Sequence, residues 1–232
     1  MVAKPPAVLV HRNALEPRAE AALQRLRDQL GQRVYPIHRL DRAASGCLLF
    51  ALERPWASRL QTALNAESAE KRYIAFVRGE FRAEGPVLVE NPMADENGVV
   101  KEARSLVTCL GSSREPRCSL LLVEPYTGRY HQVRRHVRDL AHPIIGDTKH
   151  GDSRINRQWR EDYGMRRLGL HCIQLSLPLD AGDERVEAVC PLFTDMHRVV
   201  SQMPWWEEAV EKFPALRLPP LEDDPVPMEV HT

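Results

Sequence analysis

Apolar residues recur at three- and four-residue spacing early in the chain, where Ala19, Ala22, Leu23, Leu26 and Leu30 share one side of a helical repeat. The pattern predicts an amphipathic helix over 15–30, with Pro17 in its first turn and Gly31 placed to end it. A short apolar run over 46–52 reads as a buried strand. Helical spacing returns over 55–67, with Trp56, Leu60, Ala63 and Leu64 on one side. Residues 72–78 are rich in aromatic and β-branched side chains and predict a strand.

Turn signals at Glu84-Gly85-Pro86 and Glu96-Asn97-Gly98 divide the middle of the chain, 82–117, into short strands and hairpins. Residues 119–123 read as another strand. A helix is expected over 132–141, with Val133, Val137 and Leu140 or Ala141 inward, and Arg134, Arg135 and Arg138 off that stripe. His171, Ile173, Leu175 and Leu177 alternate with Cys172, Gln174 and Ser176, the period of a half-buried strand. Strands outnumber helices and hairpins join many of them. The expectation is an α+β fold, a mixed and mostly antiparallel sheet flanked by helices. One domain over 1–204 is expected, followed by an acidic, proline-rich and partly disordered tail over 205–232.

Composition changes this picture only locally. The 232 residues suffice for one sizeable core, and 43% hydrophobic with 28% charged residues is ordinary for a globular protein. No apolar run reaches the roughly 20 residues of a membrane span, and the N-terminus lacks the apolar core of a signal peptide. A cytoplasmic location is expected. The five cysteines are scattered and form no CxxC pair, so reduced core thiols are expected. Net charge is zero, yet residues 205–232 carry −5 and residues 1–204 carry +5. Arg129, Arg134, Arg135 and Arg138 crowd ten positions, and such patches bind polyanions whatever the net charge.

The candidate chemistry starts at residues 38–46, His-Arg-Leu-Asp-Arg-Ala-Ala-Ser-Gly. Asp41 has a cation close on each side in sequence, and opposite charge favours the carboxylate. Taken alone, a structural anchor is the better reading of Asp41, with a nucleophile or base as the alternative. A second segment, 124–136, follows a strand and opens a helix. Arg129 at that helix start opposes the helix dipole, so its guanidinium needs a partner elsewhere, and Asp41 is a candidate. His131, His136, His142 and His150 lack the four-residue spacing of a helical zinc pair, and no metal is expected. No glycine loop for phosphates and no GxSxG elbow is present.

In order along the chain, these segments resemble the RluA-type pseudouridine synthases. Residues 4–11 are similar to that family's opening KPxGxxVH, and 38–46 to its HRLDxxTSG. Residues 71–79 resemble KxYxAxVxG, 128–136 resemble GRxHQxRxH with His142-Pro143-Ile144-Ile145-Gly146-Asp147 following, and Leu170-His171 resembles a late LH element. Within the family the run 142–152, with Arg154, Asn156 and Arg157 after it, is most similar to the C-type members that modify tRNA. The resemblance implies the pseudouridine synthase fold with a central cleft. It also implies isomerisation of uridine in tRNA, at position 65 of the T-stem, without cofactor or metal; a monomer is expected.

The resemblance makes Asp41 the catalytic aspartate, Arg129 the arginine paired with it and Tyr73 the tyrosine that stacks on the target base and is a candidate to assist proton removal. Arg39 becomes the side chain that fills the gap left by the flipped nucleotide. Arg134, Arg135, Arg138, Arg154 and Arg157 would hold phosphates. His38, His131 and His136 are expected to be structural. Ala44 stands where the family has threonine and Ala7 where it has glycine, and local loop effects are expected from both. Only three residues precede Lys4, so either an internal start or a shortened first strand is expected. Three other readings stay open: a ribosomal-RNA synthase of the same family, a catalytically silent RNA-binding module and, more weakly, a metal-dependent hydrolase.

Overall fold

The computed structural model describes residues 1–12, 14, 16–95, 97–179 and 184–222. The first half runs through β1 (Val2–Lys4), α1 (Ala22–Leu30), β2 (Tyr35–Pro36), β3 (Ser45–Leu48), β4 (Phe50–Ala51), α2 (Arg54–Leu64) and β5 (Glu70–Arg78). The middle contributes β6 (Val87–Val89), β7 (Met93–Ala94), β8 (Val100–Lys101), β9 (Ser105–Arg114) and β10 (Arg117–Pro125). Then follow α3 (Gln132–Asp139), α4 (Ser153–Tyr163), β11 (Leu170–Pro178), β12 (Arg185–Val189), α5 (Thr194–Val200), α6 (Trp206–Lys212) and a 3-10 turn (Pro214–Arg217). None of these helices is long and apolar enough to cross a membrane.

Seven strands lie side by side in the order β1-β3-β11-β5-β10-β9-β6, and β12 joins β11 as the eighth. Among the described strands of this sheet only β3 and β11 pair in parallel, so the sheet is mixed and mostly antiparallel, as expected. Ribbons β2-β4 and β7-β8 stand apart from it.

The central strand β5 shows how the core is divided. Ile74 and Phe76 enter one cluster with Trp159, Met196 and Trp205. Ala75 and Val77 enter a second with Val133 and Val137 of α3. A third cluster joins Leu26, Leu48, Leu60 and Leu64 from α1, β3 and α2 to Cys172, Leu175 and Leu177 of β11. Tyr73 packs against both the second and the third, so it lies where two separately packed bodies meet on the sheet.

Gly46 explains the Ser-Gly signal. Its φ is +117°, and a Cβ there would stand 2.2 Å from the Cys172 carbonyl oxygen. Only glycine lets β3 approach β11 this closely. Ala7 holds a left-handed φ of +66° at the position where the family has glycine. The Cβ crowding there costs about 1 kcal/mol.

Four sequence expectations change. Helix α1 starts at Ala22, because Leu9 and Val10 bind the backbone of 20–23 and keep Ala21 extended, which leaves Pro17 ahead of the helix. Leu15 lies outside the described residues. Trp56 is exposed in the first turn of α2, with the Arg59 guanidinium 4.2 Å from its ring centroid, and is not on the core face. Strand β11 is buried on both faces, and a register shift between Cys172 and Gln174 changes which face each later residue takes. Finally, part of 205–232 is folded: Trp205 is buried, Leu216 enters the core and Leu221 pairs with Phe193. Residues 223–232 lie outside the described residues.

The five cysteines are free thiols, four of them buried. Beside them, His171 is fully buried, with Nδ1 2.8 Å from Ser45 Oγ and Nε2 2.9 Å from the Cys190 carbonyl oxygen. Burial pulls its pKa from 6.5 to about 4. The unfolded chain therefore binds this proton first, and stability is complete above 6.5 and lost as pH falls toward 4. Urea titrations across that window should show the unfolding free energy dropping, His171 contributing on the order of 1 kcal/mol per pH unit beside the similarly lowered His38 and His131. A flat profile would contradict the assignment of a neutral buried His171.

Candidate active site

The junction at Tyr73 opens into a cleft of about 930 Å³, lined by Asp41, Tyr73, Arg39, Lys71, Arg129 and Arg134 among others. Its volume is that of a site for a nucleotide-sized group. Asp95 and Asn97 from the turn between β7 and β8, and Gln61, Leu64 and Asn65 at the end of α2, also line it.

Asp41 is carried by a tight loop, closed by a hydrogen bond from the Ala44 amide to the Asp41 carbonyl. Lys4 fastens this loop from behind. Fully buried, it donates from Nζ to the carbonyls of Pro5, Val8 and Arg42 at 2.9, 2.8 and 3.2 Å. Burial pulls its pKa to about 7, while only the ammonium form has three protons to give those carbonyls. Arg42 turns outward to Glu16 and the Ala7 carbonyl, and Arg39 lies exposed on the cleft wall.

The partner of Asp41 is Arg134, not Arg129. Arg134 Nη1 donates to Asp41 Oδ2 at 2.9 Å, the two side chains being 7% and 19% exposed. The other edge of the guanidinium binds Asp147 in bidentate fashion, Nε to Oδ2 at 2.7 Å and Nη2 to Oδ1 at 2.8 Å. Asp147 is only 1% exposed. Burial opposes its charge, but Arg134 and the amides of His150 and Lys149 outweigh that and hold its pKa below the usual range. Arg134 is thus a clamp between two carboxylates, one buried and one facing the cleft. This removes Arg134 from the expected phosphate-binding face: α3 buries Arg134 as well as Val133 and Val137.

Arg129 lines the cleft, and its Nε donates to the Glu102 carbonyl at 2.8 Å. Its backbone is fixed by Gln132, whose Oε1 accepts from the Arg129 amide at 3.0 Å and from Thr127 Oγ1 at 2.7 Å. Of the other arginines, Arg135 donates to the Ala94 carbonyl and so ties α3 to the β7-β8 ribbon. Arg138 pairs with Asp139, while Arg154 and Arg157 are exposed on α4; none of these four lines the cleft.

Tyr73 reaches the cleft from the middle of β5, opposite Cys172 on β11 and Val123 on β10. Burial first, then Cys172, pushes its pKa well above the ordinary phenol value, so the hydroxyl stays protonated. Tyr73 offers a rigid ring and a proton, not a phenolate base.

In sequence, His131 and His150 stand out mainly by lacking metal-ligand spacing, and Asp147 is one residue of a longer motif. In the fold His131 stands 2.9 Å from Arg134 Nη1 and 2.8 Å from His150. It stacks on Tyr130 with ring centroids 3.8 Å apart. Burial brings the His131 pKa to about 4, against the pull of Asp41. Among the described residues there is no group of three or more His, Cys, Asp or Glu that could hold a metal ion.

A sequence model of the family described as RNA pseudouridylate synthase matches residues 1–139. The tRNA pseudouridine synthase C of Haemophilus ducreyi is 41% identical over 187 residues, covering 72% of this chain and 76% of that protein. The tRNA pseudouridine synthase C of Vibrio parahaemolyticus is 36% identical over 229 residues, covering 90% of this chain and 93% of the other. Among solved structures, human RNA pseudouridylate synthase domain containing 1 superposes with a TM-score of 0.65 at 24% identity, covering 94% of this chain and 92% of the human one. Human RNA pseudouridylate synthase domain containing 4 gives 0.66 at 21% identity, over 94% and 90%. At these identities the two human structures establish the shared fold.

Proposed function

The chain belongs to the RNA pseudouridylate synthase family, and on that premise we propose that it isomerises uridine to pseudouridine in tRNA, at position 65 of the T-stem, with Asp41 as catalytic carboxylate. The observation that carries this reading is the Asp41 carboxylate held by Arg134 in a cleft walled by Tyr73.

The reaction breaks the bond from uracil N1 to the sugar C1′, turns the base and joins C5 to C1′. The C5 proton leaves and N1 gains one, so no external oxidant or phosphate donor enters. A carboxylate serves in either route, attacking C1′ or taking a sugar proton. The Arg134 hydrogen bond aims Asp41, and Asp147 fixes Arg134 in turn, so the charge is preorganised before substrate arrives.

An A-form stem hides its bases from side chains. The target uridine must leave the stack, at a cost of a few kcal/mol. Stacking on Tyr73 and occupation of the gap by Arg39 offset that cost. Arg39, Lys71 and Arg129 in the cleft, with Arg135, Arg138, Arg154 and Arg157 outside it, supply the phosphate contacts. The reading also carries a cytoplasmic location and action as a monomer.

Carbodiimide mapping of pseudouridine in RNA from cells with and without the gene tests activity, RNA class and position together. Loss of one T-stem pseudouridine in tRNA is the expected result. Loss of a ribosomal-RNA position instead would favour the same-family alternative, and an unchanged map would refute the activity.

A further inference from the structure

Arginine only donates hydrogen bonds, so a histidine nitrogen bonded to it must carry a lone pair. Arg134 Nη1 lies 2.9 Å from His131 Nε2. Nε2 is therefore the acceptor, and the ring proton of His131 sits on Nδ1. That Nδ1 lies 2.8 Å from His150 Nε2, which must accept in its turn. Donation thus runs one way, from Arg134 to His131 to His150. Both rings have pKa values lowered chiefly by burial, which favours the neutral forms this chain requires.

We propose that His150 is a positioning residue for Asp41: by accepting the His131 Nδ1 proton, it fixes the tautomer that leaves Arg134 as the donor to Asp41. The alternative tautomer shows why this matters. A proton on His131 Nε2 would face the Arg134 Nη1 donor, and that same nitrogen stands 3.7 Å from Asp41 Oδ2. His131 would then repel Arg134 and compete with it for one carboxylate oxygen. The surroundings hold the pair in place. Tyr130 stacks on His131 at an interplanar angle of 20°, and the His150 ring meets His131 edge-on at 88°. The His150 amide donates to Asp147 Oδ1 at 2.9 Å, so the carboxylate that anchors Arg134 also places His150.

This inference rests on Asp41 being the catalytic carboxylate, and the test separates the two. Long-range proton–nitrogen correlation spectra of the histidine rings, recorded on the whole protein at neutral pH, report the tautomers without any substrate. Wild type should show His131 protonated on Nδ1, and His150→Phe should show a mixture with Nε2. On a tRNA transcript, His150→Phe should lower kcat about tenfold with KM changed less than twofold. His150→Gln, whose side-chain oxygen can accept from Nδ1–H, should recover most of that loss. A wild-type His131 protonated on Nε2, or a wild-type kcat in His150→Phe, overturns the proposal. An inactive wild type with the expected tautomers would instead count against the functional reading alone.

Discussion

An Asp41→Asn variant is expected to lose about 10⁴-fold in pseudouridine formation while keeping its fold and its grip on RNA. Asparagine has nearly the shape of aspartate but can neither attack the sugar nor take a proton from it. Its side-chain oxygen still accepts from Arg134 Nη1, the contact that Asp41 Oδ2 makes at 2.9 Å. Arg134 also keeps its bidentate hold on Asp147, so no guanidinium is stranded. Melting temperature should change by only a few degrees, and tRNA affinity measured by filter binding should stay within a few-fold of wild type. Undiminished product formation in the purified variant would remove Asp41 from the mechanism.

Replacing Arg134 with alanine should be costly in two ways at once. Asp147, at 1% exposure, would lose its guanidinium and remain a buried charge with only amide donors. Breaking a buried pair from one side costs about 3–5 kcal/mol, which in a chain of this size lowers the melting temperature by roughly 10 °C. Asp41 would lose its aim as well, and turnover should fall about 10²–10³-fold. Arg129→Ala should behave differently. Its Nε bond to the Glu102 carbonyl is exposed, so stability should change by about 1 kcal/mol or less, and the effect should fall on RNA affinity. Thermal melts of the two variants side by side decide the matter, because a larger loss in Arg129→Ala would reverse the assignment of the partner. A double variant, Arg134→Met with Asp147→Leu, should regain stability without regaining activity.

The difference between Arg129 and Arg134 marks where sequence reasoning stops. Arg129, a cation at a helix start, does find a partner elsewhere, but that partner is the Glu102 carbonyl. Off the Val133–Val137 stripe, Arg134 reads from sequence as part of an outward, phosphate-holding face. That inference assumes a helix with one buried face, and α3 also buries Arg134 against Asp147. Nothing local announces the second face, since Asp147 lies 13 residues on and meets Arg134 only in the tertiary fold. The loop of Asp41 and the strand of Tyr73 are legible because their signals are local, a polar motif before a buried apolar run and an aromatic in a β-branched run, whereas the roles given to both residues rest on the family resemblance. The parity of β11 is not legible. One register shift after Cys172 reverses the faces, and simple alternation carries no mark of it.

The two-sided clamp on Arg134 also bears on how such a protein can change over time. Where a catalytic carboxylate is the only partner of a buried cation, its loss is punished twice, in chemistry and in folding, and selection against misfolding guards the active site. Here Asp147 holds the cation independently of Asp41. With Asp41 as the proposed catalytic carboxylate, one substitution at position 41 would remove catalysis and leave the folded body intact, open to a new use. On the proposed role of Asp41, position 41 is guarded by selection on the product alone while Arg134 is guarded by folding as well, and a silent descendant would be recognised by an intact Arg134–Asp147 pair beside a missing Asp41.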